Sequence, residues 1–276
     1  MCSWSLRPQS AAELAGLVHD AGVPAVQLAL DPLRSGAWDE LETRRTLDRA
    51  GIAVLSGMMG TIGEDYSTLE TIRETGGIRS DLHWPENLAN ARAIATIAQR
   101  MGLGLVTFHA GFLPHDSGDG GCSPLRATML SRLRLLGDAF GDRGIRLGLE
   151  TGQESADTLL VALRDLAHPN IGVNFDPANM VLYGMGDPIA SLRELAPHVW
   201  QVHIKDAIPT KVPGTWGEEV PVGTGAVDWP AFMQAVRLLP RRIDLVIERE
   251  AGDTRIRDIR TAADALRRLG AFESAS

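Results

Sequence analysis

The feature that most constrains the fold of this chain is a regular alternation of short apolar stretches with helix-like segments. Seven such stretches recur, each followed by a turn and then by residues whose apolar positions fall near helical spacing. They are AVQLAL (25–30), IAVLSGMM (52–59), LGLVTFHAG (103–111), IRLGLETG (145–152), IGVNFDPAN (171–179), VWQVHIKDA (199–207) and IDLVIERE (243–250). This rhythm predicts an α/β fold assembled from βα units.

A weaker eighth strand is expected near the start of the chain, at CSWSL. It has few β-branched residues, but Pro8 follows it and Ser10 then provides an N-cap for the helix SAAELAGLVHDAG. Eight βα units in 276 residues match the size of a TIM barrel. We therefore expect a single (β/α)8 TIM-barrel domain over residues 1–276, with a doubly wound open sheet as the alternative that the alternation alone leaves open.

Two segments rich in proline and glycine interrupt the rhythm without dividing the chain. LPHDSGDGGCSP (113–124) and IPTKVPGTWGEEVPVGTG (208–225) both follow predicted strands, so they are interpreted as long βα loops. In a barrel these loops lie at the face where active sites are built.

Composition limits the partners. The net charge of -8 is spread over mixed-sign segments and disfavours nucleic acid and anionic membranes as partners. No apolar run is long enough to span a membrane, and the first residues do not resemble a signal peptide. Cys2 and Cys122 cannot form a disulfide framework. We expect a cytoplasmic protein.

Polar residues occupy one phase of the predicted strands near their ends. Side chains alternate between the two faces of a strand, so in VWQVHIKDA the apolar Val202 and Ile204 point outward while Gln201, His203 and Lys205 point inward. The same argument directs a polar side chain inward at the end of four other strands. These residues are His109, Glu150, Asp176 and Glu248. The last three and His203 end neighbouring strands and are predicted to meet at one mouth of the barrel.

Three carboxylates that converge in a partly buried site repel one another unless a positive group holds them. A divalent metal satisfies this requirement, and an oxygen-rich set with one imidazole suits Mn²⁺, Mg²⁺ or Co²⁺ better than a closed structural zinc site. The alternative for each acid is an unrelated loop position or an ion pair, such as Glu248 with Arg249.

The motifs LETG, NFDPANM, VHIKDA, VPVGTGAVDW and VIERE resemble those of the xylose isomerase-like TIM barrels, the sugar phosphate isomerase/epimerase group that includes ketose 3-epimerases and inosose dehydratases. The resemblance implies that Glu150, Asp176, His203 and Glu248 bind one divalent metal. Mn²⁺ is the expected ion, with Mg²⁺, Co²⁺ or Zn²⁺ as alternatives. It also implies that Glu150 and Glu248 act as an acid/base pair on opposite faces of the substrate.

The expected activity is that of a metal-dependent sugar isomerase or epimerase, in which a proton next to a carbonyl is removed and an enediolate is stabilised by the metal. The same site can serve a lyase or dehydratase acting on a keto-sugar, keto-glycoside or inosose, and the ligands do not distinguish these outcomes. The resemblance implies a small sugar or sugar derivative as partner, and a homodimer or homotetramer.

The sequence departs from the epimerase pattern at two positions. Asn179 stands where a histidine is usual, and Asp206 begins a segment where an arginine is usual. Asn179, Lys205 and His109 are therefore predicted to contact substrate. For Lys205 a local ion pair with the acidic residues is the alternative, and for His109 a core position. Trp4 and Trp216 are predicted to stack on the apolar face of a sugar.

Apurinic-site endonucleases share this barrel and form a second functional class. They hold three zinc ions through a richer set of histidines, whereas here Asn179 replaces one of them and the segment 205–225 contains none. The acidic charge also disfavours binding to phosphates. This function is therefore kept only as a remote alternative.

Overall fold

The computed structural model describes residues 1–114 and 123–271. Within this part, seven parallel strands form one sheet in the order β1-β2-β3-β4-β5-β6-β9. They are β1 (Ala25–Ala29), β2 (Ala53–Met58), β3 (Leu105–Phe108), β4 (Arg146–Glu150), β5 (Ile171–Phe175), β6 (Val199–Ile204) and β9 (Asp244–Ile247). Each coincides with one of the seven predicted apolar stretches, which confirms them as strands.

Eleven α-helices of the described residues surround this sheet. They are α1 (Ala11–Ala21), α2 (Asp31–Arg34), α3 (Glu40–Arg49), α4 (Leu69–Thr75), α5 (Trp84–Met101), α6 (Pro124–Gly141), α7 (Ala156–Leu166), α8 (Pro177–Tyr183), α9 (Pro188–Leu195), α10 (Trp229–Arg237) and α11 (Arg255–Arg268). The hydroxyl of Ser10 accepts from the amide of Glu13, so Ser10 caps α1 as predicted.

The two faces of the sheet are both buried, and they carry different residues. Val202 and Ile204 lie in the apolar layer between β6 and the helices. Gln201 and His203, on the opposite phase of the same strand, are fully buried inside the ring. This nearly closed parallel ring with its surrounding helices is a TIM barrel, as the sequence predicts.

The barrel closes between β9 and β1 through the first residues of the chain. The Cys2 amide donates to Ile247 O at 2.8 Å, the Gln27 amide donates to Met1 O at 2.9 Å, and Cys2 pairs with Gln27 in a single parallel bridge. The predicted eighth strand over CSWSL is therefore wrong beyond Cys2, because Ser3–Leu6 forms a 3-10 turn.

Two serine hydroxyls allow a 3-10 turn, rather than a strand, to lie between β9 and β1. Ser3 Oγ accepts from the amide of Ala29 at 2.8 Å, and Ser5 Oγ accepts from the amide of Arg249 at 3.0 Å. These side chains satisfy amides that an eighth strand would otherwise pair. We call Met1–Leu6 with its contacts to β1 and β9 the seam.

The long segment after β6 is organised as a hairpin. β7 (Asp206–Ile208) pairs antiparallel with β8 (Glu218–Val220) at the C-terminal side of the barrel. The other long loop predicted at 113–124 lies mostly outside the described residues, as does Cys122.

In the described part of the chain, every helix is too short or too polar to cross a membrane.

Candidate metal centre

Four side chains from consecutive strands of the sheet converge at the C-terminal mouth of the barrel. Glu150 ends β4, Asp176 follows β5, His203 lies on β6 and Glu248 follows β9. One ligand atom from each lies within 4.8 Å of the others, and all four residues are buried. The inward phase predicted from the sequence thus brings these four residues together.

The two carboxylate oxygens of Asp176 have different roles: one caps a helix and the other faces the cluster. Its Oδ1 accepts from the amides of Ala178 at 2.7 Å and Asn179 at 3.0 Å, which caps α8. Its Oδ2 is buried and has no hydrogen-bond partner among the described residues. The cap fixes the carboxylate so that Oδ2 faces the cluster.

His203 is oriented by contacts on the side of its ring away from the carboxylates. Its Nε2 lies 2.7 Å from Gln27 Oε1, which fixes this nitrogen as the donor. The other nitrogen, Nδ1, lies 3.3 Å from Glu248 Oε2, 3.5 Å from Glu150 Oε1 and 3.7 Å from Asp176 Oδ2. Gln27 therefore presents Nδ1 to the three carboxylates.

Glu150 is held by two amides. Asn179 Nδ2 donates to its Oε1 at 3.0 Å, and Asn174 Nδ2 donates to its Oε2 at 3.2 Å. His109 Nε2 also lies 3.6 Å from Oε1. Asn179, which replaces the usual histidine, thus positions a carboxylate of the cluster.

Glu248 is held by an indole and an ammonium group. Trp4 Nε1 donates to its Oε1 at 2.7 Å, and Lys205 Nζ donates to its Oε2 at 3.0 Å. Lys205 also donates to Glu250 Oε2 at 2.8 Å. The local ion pair considered for Lys205 is therefore present, and Trp4 reaches Glu248 from the seam.

The charges of the cluster are strongly coupled. Burial disfavours the charged imidazole of His203, but the carboxylates of Glu150 and Glu248 raise its pKa well above the ordinary value. Burial raises the pKa of Asp176. Burial acts in the same direction on Glu248, but Lys205 and His203 lower its pKa well below the usual range. The site therefore attracts positive charge, including a proton on His203.

The donor set fits a divalent cation. Asp176 Oδ2 and His203 Nδ1 are both buried without a hydrogen-bond partner in the described part of the chain. Ligands bound at about 2.1 Å to one ion lie about 3 to 4 Å apart. The separations of 3.3 to 3.7 Å around His203 Nδ1 match this spacing.

Aromatic residues from opposite loops meet above the mouth. Tyr66, which follows β2, stacks on Trp216 of the β7–β8 hairpin with a centroid distance of 6.4 Å. Trp216 contacts Tyr183 edge-on at 5.0 Å. Because β3, β4 and β5 lie between β2 and β6, the contact of Tyr66 with Trp216 crosses the mouth.

Several residues of the site were not among those predicted from the sequence. Gln27 interrupts the apolar stretch AVQLAL, and Glu250 follows Glu248 in the same phase, so the sequence pattern could have identified both as inward-facing polar residues. Tyr66 lies in a loop, where no such pattern marks it. Cys2 Sγ lies 3.8 Å from His203 Nε2, and burial raises the pKa of this thiol to about 12, which keeps it neutral.

Comparison with known proteins places these features in a family. The model of the family described as xylose isomerase-like TIM barrel matches residues 15–269. The chain belongs to the xylose isomerase-like TIM barrel family. A solved structure of a xylose isomerase domain protein from Planctomyces limnophilus is 34% identical to it, with a TM-score of 0.83 over 93% of this chain and 90% of that one. This confirms the resemblance inferred from the motifs.

Two curated relatives match parts of the chain. The uncharacterized protein YihM of Escherichia coli is 26% identical over 201 residues, which cover 70% of this chain and 60% of that protein. A 3-oxo-isoapionate decarboxylase of Pectobacterium atrosepticum is 30% identical over 129 residues, covering 45% of this chain and 46% of the enzyme. The chain thus matches less than two thirds of the length of either relative.

More distant solved structures share the fold alone. An L-ribulose 3-epimerase is 16% identical with a TM-score of 0.74 over 98% of this chain and 93% of its own. A xylose isomerase-like protein from Mycobacterium smegmatis, solved in complex with magnesium, is 20% identical with a TM-score of 0.69 over 94% of this chain and 88% of its own.

Proposed function

We propose that this protein is a divalent-metal-dependent sugar isomerase or epimerase that moves a proton next to a ketose carbonyl. The observation that carries the proposal is the pair Glu150 and Glu248, which come from the two outer strands of the four that supply the cluster, and whose carboxylates lie 3.5 and 3.3 Å from His203 Nδ1. The epimerase within the same fold family supports the same class of reaction.

Glu150, Asp176, His203 and Glu248 are the proposed ligands. A bound divalent ion supplies a Lewis acid that polarises the carbonyl and acidifies the neighbouring C–H bond. Mn²⁺ is the proposed ion, and the magnesium found with the Mycobacterium smegmatis protein supports a hard divalent cation.

Glu150 and Glu248 are the proposed acid and base. One of the two groups, as the carboxylate, takes the proton from the substrate carbon, and the other, as the protonated carboxylic acid, donates a different proton from the opposite side for inversion; exchange of protons with solvent then restores the starting state. Asn174 and Asn179 hold the oxygens of Glu150 by hydrogen bonds, and Trp4 and Lys205 hold those of Glu248. Each carboxylate is thereby oriented before substrate arrives, which lowers the cost of reaching the reactive geometry.

The other predicted contacts are proposed as substrate-binding groups. His109 has a buried Nδ1 without a hydrogen-bond partner among the described residues. Lys205 and Asn179 retain N–H groups beyond those bound to carboxylates. The rings of Trp4 and Trp216 lie at the seam and above the mouth, respectively, where a sugar can stack on them.

The test is proton exchange from D2O into a panel of ketoses, followed by NMR. We expect Glu150→Gln and Glu248→Gln each to reduce the exchange rate by about 10² to 10⁴-fold, the usual contribution of a general acid or base. Saturating Mn²⁺ and measured metal content separate this effect from loss of the ion. Glu194→Gln, on the exposed face of α9, is the matched control. Full exchange by both metal-loaded site variants would contradict the two-carboxylate mechanism.

A lyase is the second candidate, and the similarity to 3-oxo-isoapionate decarboxylase favours it. Adding 3-keto acids and keto-glycosides to the panel distinguishes the two reactions. Inversion or isomerisation of a ketose supports the first proposal, whereas loss of water from a ketose, of CO2 from a keto acid or of the aglycone from a keto-glycoside supports the second.

A further inference from the structure

A cavity of about 290 Å³ opens beside the metal-ligand cluster. Part of its wall is formed by the rings of Trp4 and Tyr66 and by the side chains of Met58, Met59 and His109. Its volume is at the lower end of the range of small-molecule sites, which suits a single sugar unit better than a disaccharide or a nucleotide.

The charged side chains on the wall of this cavity are acidic, apart from the imidazole of His109, which lies 3.6 Å from Glu150 Oε1. Asp31, Glu64, Glu248 and Glu250 line it, and none of its described lining residues is a lysine or an arginine. Glu248, a member of the metal-ligand cluster, and Glu250 both follow β9, whereas Asp31 begins α2 after β1 and Glu64 lies in the loop after β2. Negative charge therefore surrounds the cavity on more than one side.

The cations nearest to these acids are already paired. Lys205 is buried and donates to Glu248 at 3.0 Å and to Glu250 at 2.8 Å. Arg34 binds Asp31 at 3.1 Å and the side chain of Asn90 at 2.9 Å. A phosphate that reached the remaining N–H of Lys205 would lie beside the carboxylates of Glu248 and Glu250, which repel it.

The same wall suits hydroxyl groups. A carboxylate only accepts hydrogen bonds, and each of its oxygens can accept more than one. Glu64 Oε1 accepts from the Gly77 amide at 2.8 Å, while Glu64 Oε2 has only a long contact of 3.4 Å with the Tyr66 hydroxyl. Acceptors of this kind bind the O–H donors of a polyol, and the rings of Trp4 and Tyr66 bind its C–H face.

We infer that the substrate is an uncharged polyhydroxy ketone of monosaccharide size, without a phosphate or a carboxylate group. This inference rests on the proposed function for the carbonyl chemistry, but its charge argument concerns binding and can be tested without turnover.

The binding test measures the affinity of the metal-loaded Glu150→Gln variant for three six-carbon probes. They are D-allulose, D-allulose 6-phosphate and 2-keto-D-gluconate. We expect D-allulose to bind at least about tenfold more tightly than either anion in NMR titrations, because like charges in a confined site cost more than one factor of ten. Equal or tighter binding of an anionic probe overturns the inference.

A charge variant tests the cause. Thr61 lines the cavity, and Thr61→Arg adds one cation to its wall without removing a carboxylate. Thr261→Arg on the exposed surface of α11 makes the same change of net charge away from the mouth. We expect Thr61→Arg to improve binding of D-allulose 6-phosphate at least about fivefold relative to Thr261→Arg, an effect that decreases with salt. Equal binding by the two variants contradicts the electrostatic account.

Exchange from D2O then separates this inference from the proposed function. Exchange that is faster into D-allulose than into its phosphate supports both. Exchange that is faster into the phosphate overturns the inference and leaves the function standing. Binding of D-allulose without exchange by the unmodified, metal-loaded protein supports the inference and refutes the isomerase function for this ketose.

Discussion

Asp206 is predicted to be one of the most sensitive positions of the fold outside the metal cluster. Its carboxylate is fully buried and accepts five hydrogen bonds. Oδ1 accepts from the amides of Ala207 and Val227 at 2.9 and 3.2 Å. Oδ2 accepts from the amides of Gly223 and Gly225 and from Trp229 Nε1, at 2.8 to 3.1 Å. One side chain thus ties the hairpin after β6 to the start of α10.

The substitution Asp206→Asn keeps the shape but turns one acceptor into a donor. In the better of its two orientations the new NH2 replaces Oδ1 and faces two N–H groups, so two hydrogen bonds to a charged acceptor are lost. At about 1.5 to 3 kcal/mol each, this is a gross loss of about 3 to 6 kcal/mol. Relief from burying a charge offsets part of it, and we expect a net loss of about 2 to 4 kcal/mol.

Thermal and urea unfolding measure this loss. For a chain of this size each kcal/mol lowers Tm by about 2 to 4 °C, so Asp206→Asn should lower Tm by roughly 5 to 15 °C. The control is Asp228→Asn, because Asp228 is exposed, accepts from a single amide at the N-terminus of α10, and asparagine is an equally good N-cap. If the two variants unfold within about 1 °C of each other, the assignment of Asp206 as the organiser of this loop is wrong.

Three further predictions concern the metal centre and the pH dependence of stability. Gln27→Leu removes the acceptor that fixes the His203 ring, so calorimetry should show that the affinity for Mn²⁺ falls by about 10 to 100-fold. Gln234→Leu, at an exposed position, is the control and should leave the affinity unchanged. Equal affinities of the two variants would contradict the role of Gln27. Mn²⁺ should also bind more tightly at pH 8 than at pH 6, because carboxylates raise the pKa of His203 and its proton competes with the ion; an affinity independent of pH would refute this competition. Burial raises the pKa of Glu154 from 4.5 to about 8, so the native carboxyl favours its protonated form. The stability that this group contributes is fully present below about pH 4.5 and is lost as pH rises to about 8. Glu154→Gln should therefore leave urea unfolding nearly unchanged at pH 4.5 and stabilise the protein at pH 8.5 by at most about 5 kcal/mol; equal effects at both pH values would argue against a buried, neutral Glu154.

The alternation of apolar and polar residues along the strands predicts the four clustered residues. Both faces of a barrel strand are buried, and a buried polar side chain is costly unless it has a structural or functional partner. In β6 the alternation separates Val202 and Ile204 from Gln201 and His203, and the structure places each on the expected face. Since parallel strands all end at the same mouth, the polar residues at their ends must meet there. Local pattern and barrel geometry together therefore predict the convergence of Glu150, Asp176, His203 and Glu248.

The contacts that orient these ligands depend on distances that no local pattern encodes. Gln27 meets His203 across 176 positions of sequence, and Trp4 meets Glu248 across 244. Asp206 shows the same limitation, because its five donors come together only when the hairpin and the start of α10 pack around it. The 3-10 turn of Ser3–Leu6 was missed for another reason: its serine hydroxyls replace backbone pairing, which no propensity for strand or helix describes.

The time for which the metal-ligand cluster stays assembled depends on the few hydrogen bonds that hold the seam to β1 and β9. The other neighbouring strands of the described sheet pair along ladders, whereas β9 and β1 are joined through Cys2 and the hydroxyls of Ser3 and Ser5. The same short segment carries Trp4 to Glu248. If the segment detaches by local unfolding, the barrel opens and Glu248 loses its indole partner in a single event. Amide hydrogen exchange at Cys2 and Gln27 would then report how long the assembled mouth persists, and ion binding beside Glu248 should slow that exchange without any contact between the ion and these amides.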